Sequence, residues 1–153
     1  MSKARVVQYF QQINRPDLSI MEFPVSSATV EQAAAAVGVE PGMIAKSLAF
    51  KLPEGAVVIV LSGTARLSNR KFKDFFNCRA KMLKPEETEE ITGHAVGGVC
   101  PFGLADGVKV YLDHSLQQYE IVYPAAGASN NAVRIKVEEF ADITKGEWAD
   151  LSE

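Results

Sequence analysis

Thr92-Gly93-His94-Ala95-Val96-Gly97-Gly98-Val99-Cys100-Pro101-Phe102-Gly103 is the stretch on which the reading of this chain turns. Four glycines and a proline fall within twelve residues, flanked by helical and apolar patterns and not by low-complexity sequence. Glycine admits positive φ and close backbone approach, while proline fixes φ and removes a donor. Such a loop can offer backbone N–H groups with no side chain in the way, which suits an oxygen-rich or anionic ligand. It lacks the G-x-x-x-x-G-K-[ST] pattern of a phosphate loop, and no strand of a βαβ unit leads into it, so it is not a dinucleotide fingerprint.

Upstream of the loop, Pro85 opens a helix that runs to Thr92. Before it, residues 80–83 read as a short strand, and Ser68 caps a helix through Phe76 with Phe72, Phe75 and Phe76 facing the core. Residues 56–61 form a continuous apolar run that predicts a buried strand. A Pro53-Glu54-Gly55 turn joins it to an alternating strand at 45–51. Further back, Thr29 and Gln32 have capping-box spacing before an alanine-rich helix that Gly38 stops, and Pro41-Gly42 starts a short turn or helix. Residues 18–23 read as a strand and 2–13 as an amphipathic helix, separated by the breaker Asn14-Arg15-Pro16-Asp17.

Downstream, 108–112, 120–123 and 132–137 read as strands, and 138–144 as a closing helix before Gly146. The strands interleave too irregularly for a doubly wound sheet, so the expected class is a mixed α/β fold. With no repeat and no linker, residues 1–153 are expected to form one domain.

Composition narrows the function classes. Apolar residues make up 47% and charged residues 23%, ordinary for a soluble domain. No apolar run approaches the roughly 18–20 residues of a membrane span, so no membrane role is expected. Cys78 and Cys100 show neither metal-ligand spacing nor a disulfide framework, which fits the reducing cytoplasm. The net charge of −3 argues against a general nucleic-acid coat, and no DNA partner is expected. Yet Arg66, Arg70, Lys71, Lys73, Arg79, Lys81 and Lys84 cluster in one stretch with only Asp74 opposing them. That stretch reads either as a solvated helix face or as a local surface for nucleic-acid phosphates.

The familiar catalytic patterns are missing. His94 and His114 with scattered serines make no triad, and no G-x-S-x-G, H-E-x-x-H or C-x-x-C occurs, so neither metal nor cofactor is expected. Lys46 stands within an otherwise apolar strand. It reads either as an edge-strand lysine that discourages aggregation or as a cation aimed at a phosphate or a polarised carbonyl. Cys100 could serve as a nucleophile only with a base and a lowered pKa; a small residue packed in a tight loop is the simpler reading. His94 reads as a residue that lines the loop or makes a hydrogen bond within it.

Lys46-Ser47-Leu48, the loop from Thr92-Gly93 to Pro101-Phe102-Gly103, and Leu112-Asp113 followed by the segment from Tyr123 to Gly127 occur in an order and spacing that carry a resemblance. The chain resembles the YbaK/prolyl-tRNA synthetase-associated editing domain family over residues 2–144, its most specific element being Gly97-Gly98-Val99-Cys100-Pro101 together with Lys46. The resemblance implies a barrel-like β-sheet core flanked by helices and a deacylase of mischarged tRNA, often proline tRNA carrying alanine, cysteine or serine. It implies no protein nucleophile: water or a substrate group attacks.

By position, Lys46, Gly97 and Gly98 would carry the chemistry, with Lys46 on the phosphate or ribose of the acceptor end. His94, Val99, Cys100, Pro101, Asp113, Gly127 and Asn130 would line the aminoacyl site. Arg66, Arg70, Lys71 and Lys73 would track the tRNA backbone, with prolyl-tRNA synthetase as a further partner. His94 and Cys100 depart from the family's usual aromatic and serine, so the cysteine specificity of YbaK itself does not carry over. A non-catalytic module that binds tRNA ends or a synthetase, and a cysteine-dependent hydrolase, are the rival readings.

Overall fold

The computed structural model describes residues 2–153. Before the glycine loop come α1 (Ser2–Gln12), β1 (Ile20–Glu22), α2 (Val30–Val37), β2 (Ile44–Leu52), β3 (Gly55–Ser62), α3 (Asn69–Phe76) and α4 (Pro85–Thr92). After it come β4 (Val108–Asp113), β5 (Ile121–Pro124), β6 (Asn131–Val133), β7 (Ile135–Lys136), α5 (Val137–Thr144) and β8 (Glu147–Ala149). A six-stranded mixed sheet has the order β7-β5-β2-β3-β4-β8, and β1 pairs with β6 in a small second sheet. The larger sheet curls into a half-barrel with helices against it, the architecture expected from the sequence.

The β2–β3 hairpin sets the frame. Leu52 pairs with Gly55 across the two residues Pro53 and Glu54, and the register runs back to Ala45↔Ser62. Gly55 sits at φ 99°, a conformation that side chains oppose. Residues Val57 to Leu61 are wholly buried, which explains a run without polar alternation: both faces of β3 are covered. Toward one face, Ala45, Ala49, Val58 and Val60 pack with Val6 and Phe10 of α1, Phe102 of the loop and Phe140 of α5. Toward the other, Phe50, Val57, Ile59 and Leu61 pack with Phe72 of α3 and Leu151. Each buried Val, Leu, Ile or Phe side chain among them contributes about 1.5–3 kcal/mol by leaving water.

Local signals place the helices. Thr29 and Gln32 form the reciprocal capping box, and Gly38 closes α2 at φ 89°. Ser68 accepts from Lys71 N–H at the start of α3, and Glu87 accepts from Lys84 N–H at the start of α4. Pro41 starts a short 3-10 turn that leads into β2.

Four expectations change. Residues 80–83 form no strand; Met82 makes a single bridge to Phe50, and the segment is otherwise tied to β2 by Lys51 N–H to Lys81 and Leu83 N–H to Ala49. Phe75 is 48% exposed, because the buried stripe of α3 follows Phe72 and Phe76; its ring instead meets Tyr111 edge-on at 5.1 Å. Residues 132–137 split into two short strands, since β6 pairs with β1 and β7 with β5, so the chain changes sheets at Arg134. Strand β8, parallel to β4, is too short to leave a periodic signal.

Candidate active site

The sheet has a gap beside β2. Strand β5 pairs with β2 only at Ile44↔Tyr123 and Ala45↔Pro124, and the tie to residues 81–83 resumes at Ala49. Ala49 and Lys51 direct their main-chain groups away from β3, toward residues 81–83. Main-chain groups alternate sides along a strand, so the N–H and C=O of Ser47 point the same way, into the gap. A cavity of about 450 Å³ opens there. Its walls are residues 44–49 of β2, the segment 27–30 with Ala33 of α2, and Met82, Leu83, Pro85 and Thr88 around the start of α4. Val96, Gly97 and Val99 of the glycine loop, Tyr123 and Ala125, and Asn131 and Ala132 complete it.

Lys46 lies in this wall. Its Nζ donates to the carbonyls of Ala65 at 2.5 Å and Gly63 at 3.3 Å, just past the end of β3. An ammonium has three N–H donors, so one remains for a ligand. Burial lowers its pKa from the ordinary lysine value, nearby Arg66 lowers it further, and Glu31 of α2 opposes them. Lys46 is not a protective edge lysine in the simple sense, because β2 lies inside the sheet. Its strand is uncovered only at the gap. Side chains also alternate, so Lys46 projects with Leu48 and Phe50 to the α3 face, while Ser47 projects with Ala45 and Ala49 to the opposite face.

The glycine loop rests on a second loop. A Cβ on Gly98 would lie 2.7 Å from both C and O of Gly127 and 2.9 Å from Ala128 N. Two backbones therefore touch where both residues are glycine. Gly98 N–H donates to Ala95 C=O at 2.9 Å, which closes a turn. That donor is thus not open to a substrate, contrary to the expectation for Gly98; its role is the close approach. Gly97, at φ 91°, faces the cavity. Asn131 shapes the partner loop: its Oδ1 accepts from Ala126 and Ala128 N–H, and its Nδ2 donates to Ala126 C=O.

His94, Cys100 and Pro101 lie behind the loop and not in the cavity wall, a correction to their expected place. His94 and Cys100 are fully buried, with Cys100 Sγ 3.5 Å from His94 Nε2. The pair looks like a thiol–imidazole dyad but is tuned against one. Nε2 is 2.6 Å from Phe102 C=O, which can only accept, so the ring proton sits on Nε2. Burial lowers the histidine pKa against the opposing pull of that hydrogen bond. Burial also pushes the Cys100 thiol up to about 12, despite hydrogen bonds with the Phe102 and Gly127 backbones. A reactive thiol needs the reverse of both shifts.

Asp113 and Asn130 also leave the cavity. Asp113 is buried at the end of β4 and accepts from Leu151 N–H at 2.7 Å and Ser115 N–H at 2.9 Å, which ties down the C-terminal segment. Asn130 is exposed and donates to Phe23 C=O. Its neighbour Asn131 lines the cavity instead. Among the described residues Asp113, His114 and Asp150 are close enough to share a cation, their ligand atoms lying within 4.8 Å. The group is already complemented, because the Lys71 ammonium is 2.8 Å from Asp150 and two N–H groups occupy Asp113.

Of the expected tRNA contacts, Arg66 lies close enough to Lys46 to depress its pKa, and Arg70 and Lys73 are exposed on α3. Lys71 is engaged with Asp150 and Ser152 C=O.

A sequence model of the aminoacyl-tRNA editing domain matches residues 25–143. The chain belongs to the aminoacyl-tRNA editing domain family. This editing domain is 44% identical over 154 residues to the uncharacterized protein YwhH of Bacillus subtilis (strain 168), covering 99% of this chain and 97% of YwhH. It is 30% identical over 125 residues to the proline–tRNA ligase of Geobacillus sp. (strain WCH70), covering 80% of this chain but 22% of the ligase. A solved structure described as a candidate trans-editing enzyme for prolyl tRNA synthetase superposes on the editing domain with a TM-score of 0.92 at 36% identity, covering 99% of this chain and 97% of that one. No helix among the described residues is long and apolar enough to cross a membrane.

Sequence reasoning missed the 27–30 segment, Thr88 and Asn131 as cavity walls. The Thr29–Gln32 capping box marked where α2 begins, but nothing in it signalled proximity to Lys46. Ser47 was visible beside Lys46, and only the pairing gap gives it significance.

Proposed function

We propose that this editing domain is a trans-editing deacylase that hydrolyses the ester of a mischarged tRNA, proline tRNA with a small wrong amino acid. The observation that carries the reading is the gap in the sheet, where Lys46 and the glycine loop meet across one cavity. Similarity to part of a proline–tRNA ligase and to a candidate trans-editing enzyme supports the choice of proline tRNA, and prolyl-tRNA synthetase is the natural partner.

In this reading the terminal adenosine enters on the Lys46 face, where the third ammonium N–H meets a phosphate or ribose oxygen. Arg66 and α3 extend the positive surface along the acceptor stem. Phosphate contacts of this kind give modest, salt-sensitive affinity. The aminoacyl group crosses the strand edge, and the Gly97 and Val99 N–H groups of the loop lie against the carbonyl. Water adds to the carbonyl carbon, the ester C–O bond breaks, and the proton passes to the departing ribose hydroxyl. An ester needs mainly position and charge stabilisation, and one well-placed oxyanion donor is worth about 10²–10³ in rate. No side-chain nucleophile is needed, which agrees with the inert state of Cys100.

The test is incubation with proline tRNA charged with alanine, cysteine or serine. At least one of these should lose its amino acid well above the buffer rate. Binding of tRNA with no faster loss of any amino acid would instead support a recognition module.

A further inference from the structure

One buried side-chain atom in the cavity wall has no partner. Ser47 Oγ is buried and makes no hydrogen bond. The neighbouring polar side chains are engaged: Ser27 donates to Ser129 C=O, Thr29 accepts from Gln32 N–H, Thr88 donates to Lys84 C=O, and Asn131 bonds residues 126 and 128. Lys46 is held by two carbonyls and lies on the other face of β2. Buried hydroxyls are ordinarily satisfied, and an unsatisfied one is costly unless a ligand or water completes it. The sheet does not supply that partner, because the hydroxyl projects from its face, and β2 is paired at this residue with β3 alone. Along the strand Ser47 is flanked on its own face by Ala45 and Ala49, whose small side chains leave room above the hydroxyl.

We propose that Ser47 selects the acyl group, and that the amino acid removed carries a side-chain hydroxyl, serine in preference to alanine. The proposal rests on the deacylase reading and adds its substrate class. A hydroxyl both donates and accepts, so it matches a second hydroxyl with no charge present. A thiol is a weak donor and fits less well, and a methyl leaves Ser47 unpaired. Apolar walls alone discriminate weakly, whereas a buried group left without its partner penalises the wrong ligand.

The test uses 3′-deoxyadenosine carrying seryl, cysteinyl or alanyl groups through a 3′-amide, which binds without being cleaved. Calorimetric titration of the full chain should give seryl about three- to tenfold tighter binding than alanyl, the range that one neutral hydrogen bond supplies. Cysteinyl should fall between. Ser47→Ala should abolish that preference, through weaker seryl and equal or tighter alanyl binding, and Ser47→Cys should give a partial preference. Each variant is checked by its melting temperature. An equal seryl-to-alanyl ratio in the wild type and Ser47→Ala overturns the proposal, as does a wild type that prefers alanyl or binds none of the three. If the seryl preference depends on Ser47 but no charged tRNA is cleaved, the deacylase reading fails and the selection by Ser47 stands. If tRNA is cleaved with no preference dependent on Ser47, the reverse holds.

Discussion

Replacing Gly98 by alanine tests the loop contact directly. The added Cβ would lie 2.7 Å from the Gly127 carbonyl carbon and oxygen, whereas ordinary contact begins near 3.4 Å. Both neighbours are backbone, so no flexible side chain can yield, and the loops must separate by about 0.7 Å, the difference between those two distances. The 96–99 wall then moves relative to β5 and β6. A misplacement of about 1 Å costs on the order of 10²-fold in rate, so a loss of about 30- to 100-fold in kcat/KM is expected. Gly107→Ala is the control for a glycine change away from the contact: unlike Gly98, Gly107 has positive φ, 88°, but nothing lies within 4 Å of its Cβ and it is outside the cavity wall. It should cost about 1–2 kcal/mol of stability from its backbone conformation and leave the rate intact. Deacylation kinetics and thermal melts on both variants check this. If Gly98→Ala keeps full kcat/KM, or if the two variants lose activity in proportion to their melting temperatures, the reasoning about loop contact is wrong.

Four other outcomes are expected. Cys100→Ala should leave kcat/KM within about threefold of wild type, since the thiol is buried and protonated at neutral pH; loss of turnover would revive a thiol mechanism. His94 is held below the ordinary histidine pKa, so the unfolded chain takes up its proton first. Its stabilising contribution is therefore present above about pH 6.5 and lost as pH falls below that, and His94→Gln should flatten the fall in melting temperature between about pH 7 and 5. Asp113→Asn should loosen residues 147–153, read as faster amide exchange there, with little change in acyl-group preference. Arg66→Ala should raise KM and reduce the slope of log KM against log salt by about one phosphate contact, leaving kcat nearly unchanged.

The fold was legible where local chemistry decided it. The Thr29–Gln32 box, the Ser68 cap, Gly38, Pro85 and the apolar run of β3 each stated its own element. What failed was set by distant pairing: the division at Arg134 depends on β1 and β5, and residues 80–83 meet β2 through a single bridge and two main-chain hydrogen bonds. Phe75 departs because aromatic character does not by itself bury a residue, and helical spacing selects Phe72 and Phe76.

The site was legible in outline. Lys46, Gly97 and Val99 reach one cavity, whereas His94, Cys100 and Pro101, from the same loop, support it from behind. Sequence adjacency could not separate the front of a loop from its back. Nor could it reveal Ser47, whose environment exists only because β5 leaves β2 after Ala45.

The central claim is that Lys46 and the opposed loop cleave an aminoacyl ester. Its most direct test is single-turnover release of the amino acid from seryl-charged proline tRNA by wild type and by Lys46→Ala, with melting temperature as the fold control. Wild type is expected to release serine well above the buffer rate and Lys46→Ala to lose at least about 100-fold, by the scale of a lost transition-state contact. Equal release by the two proteins, or release no faster than in buffer by either, would contradict the account.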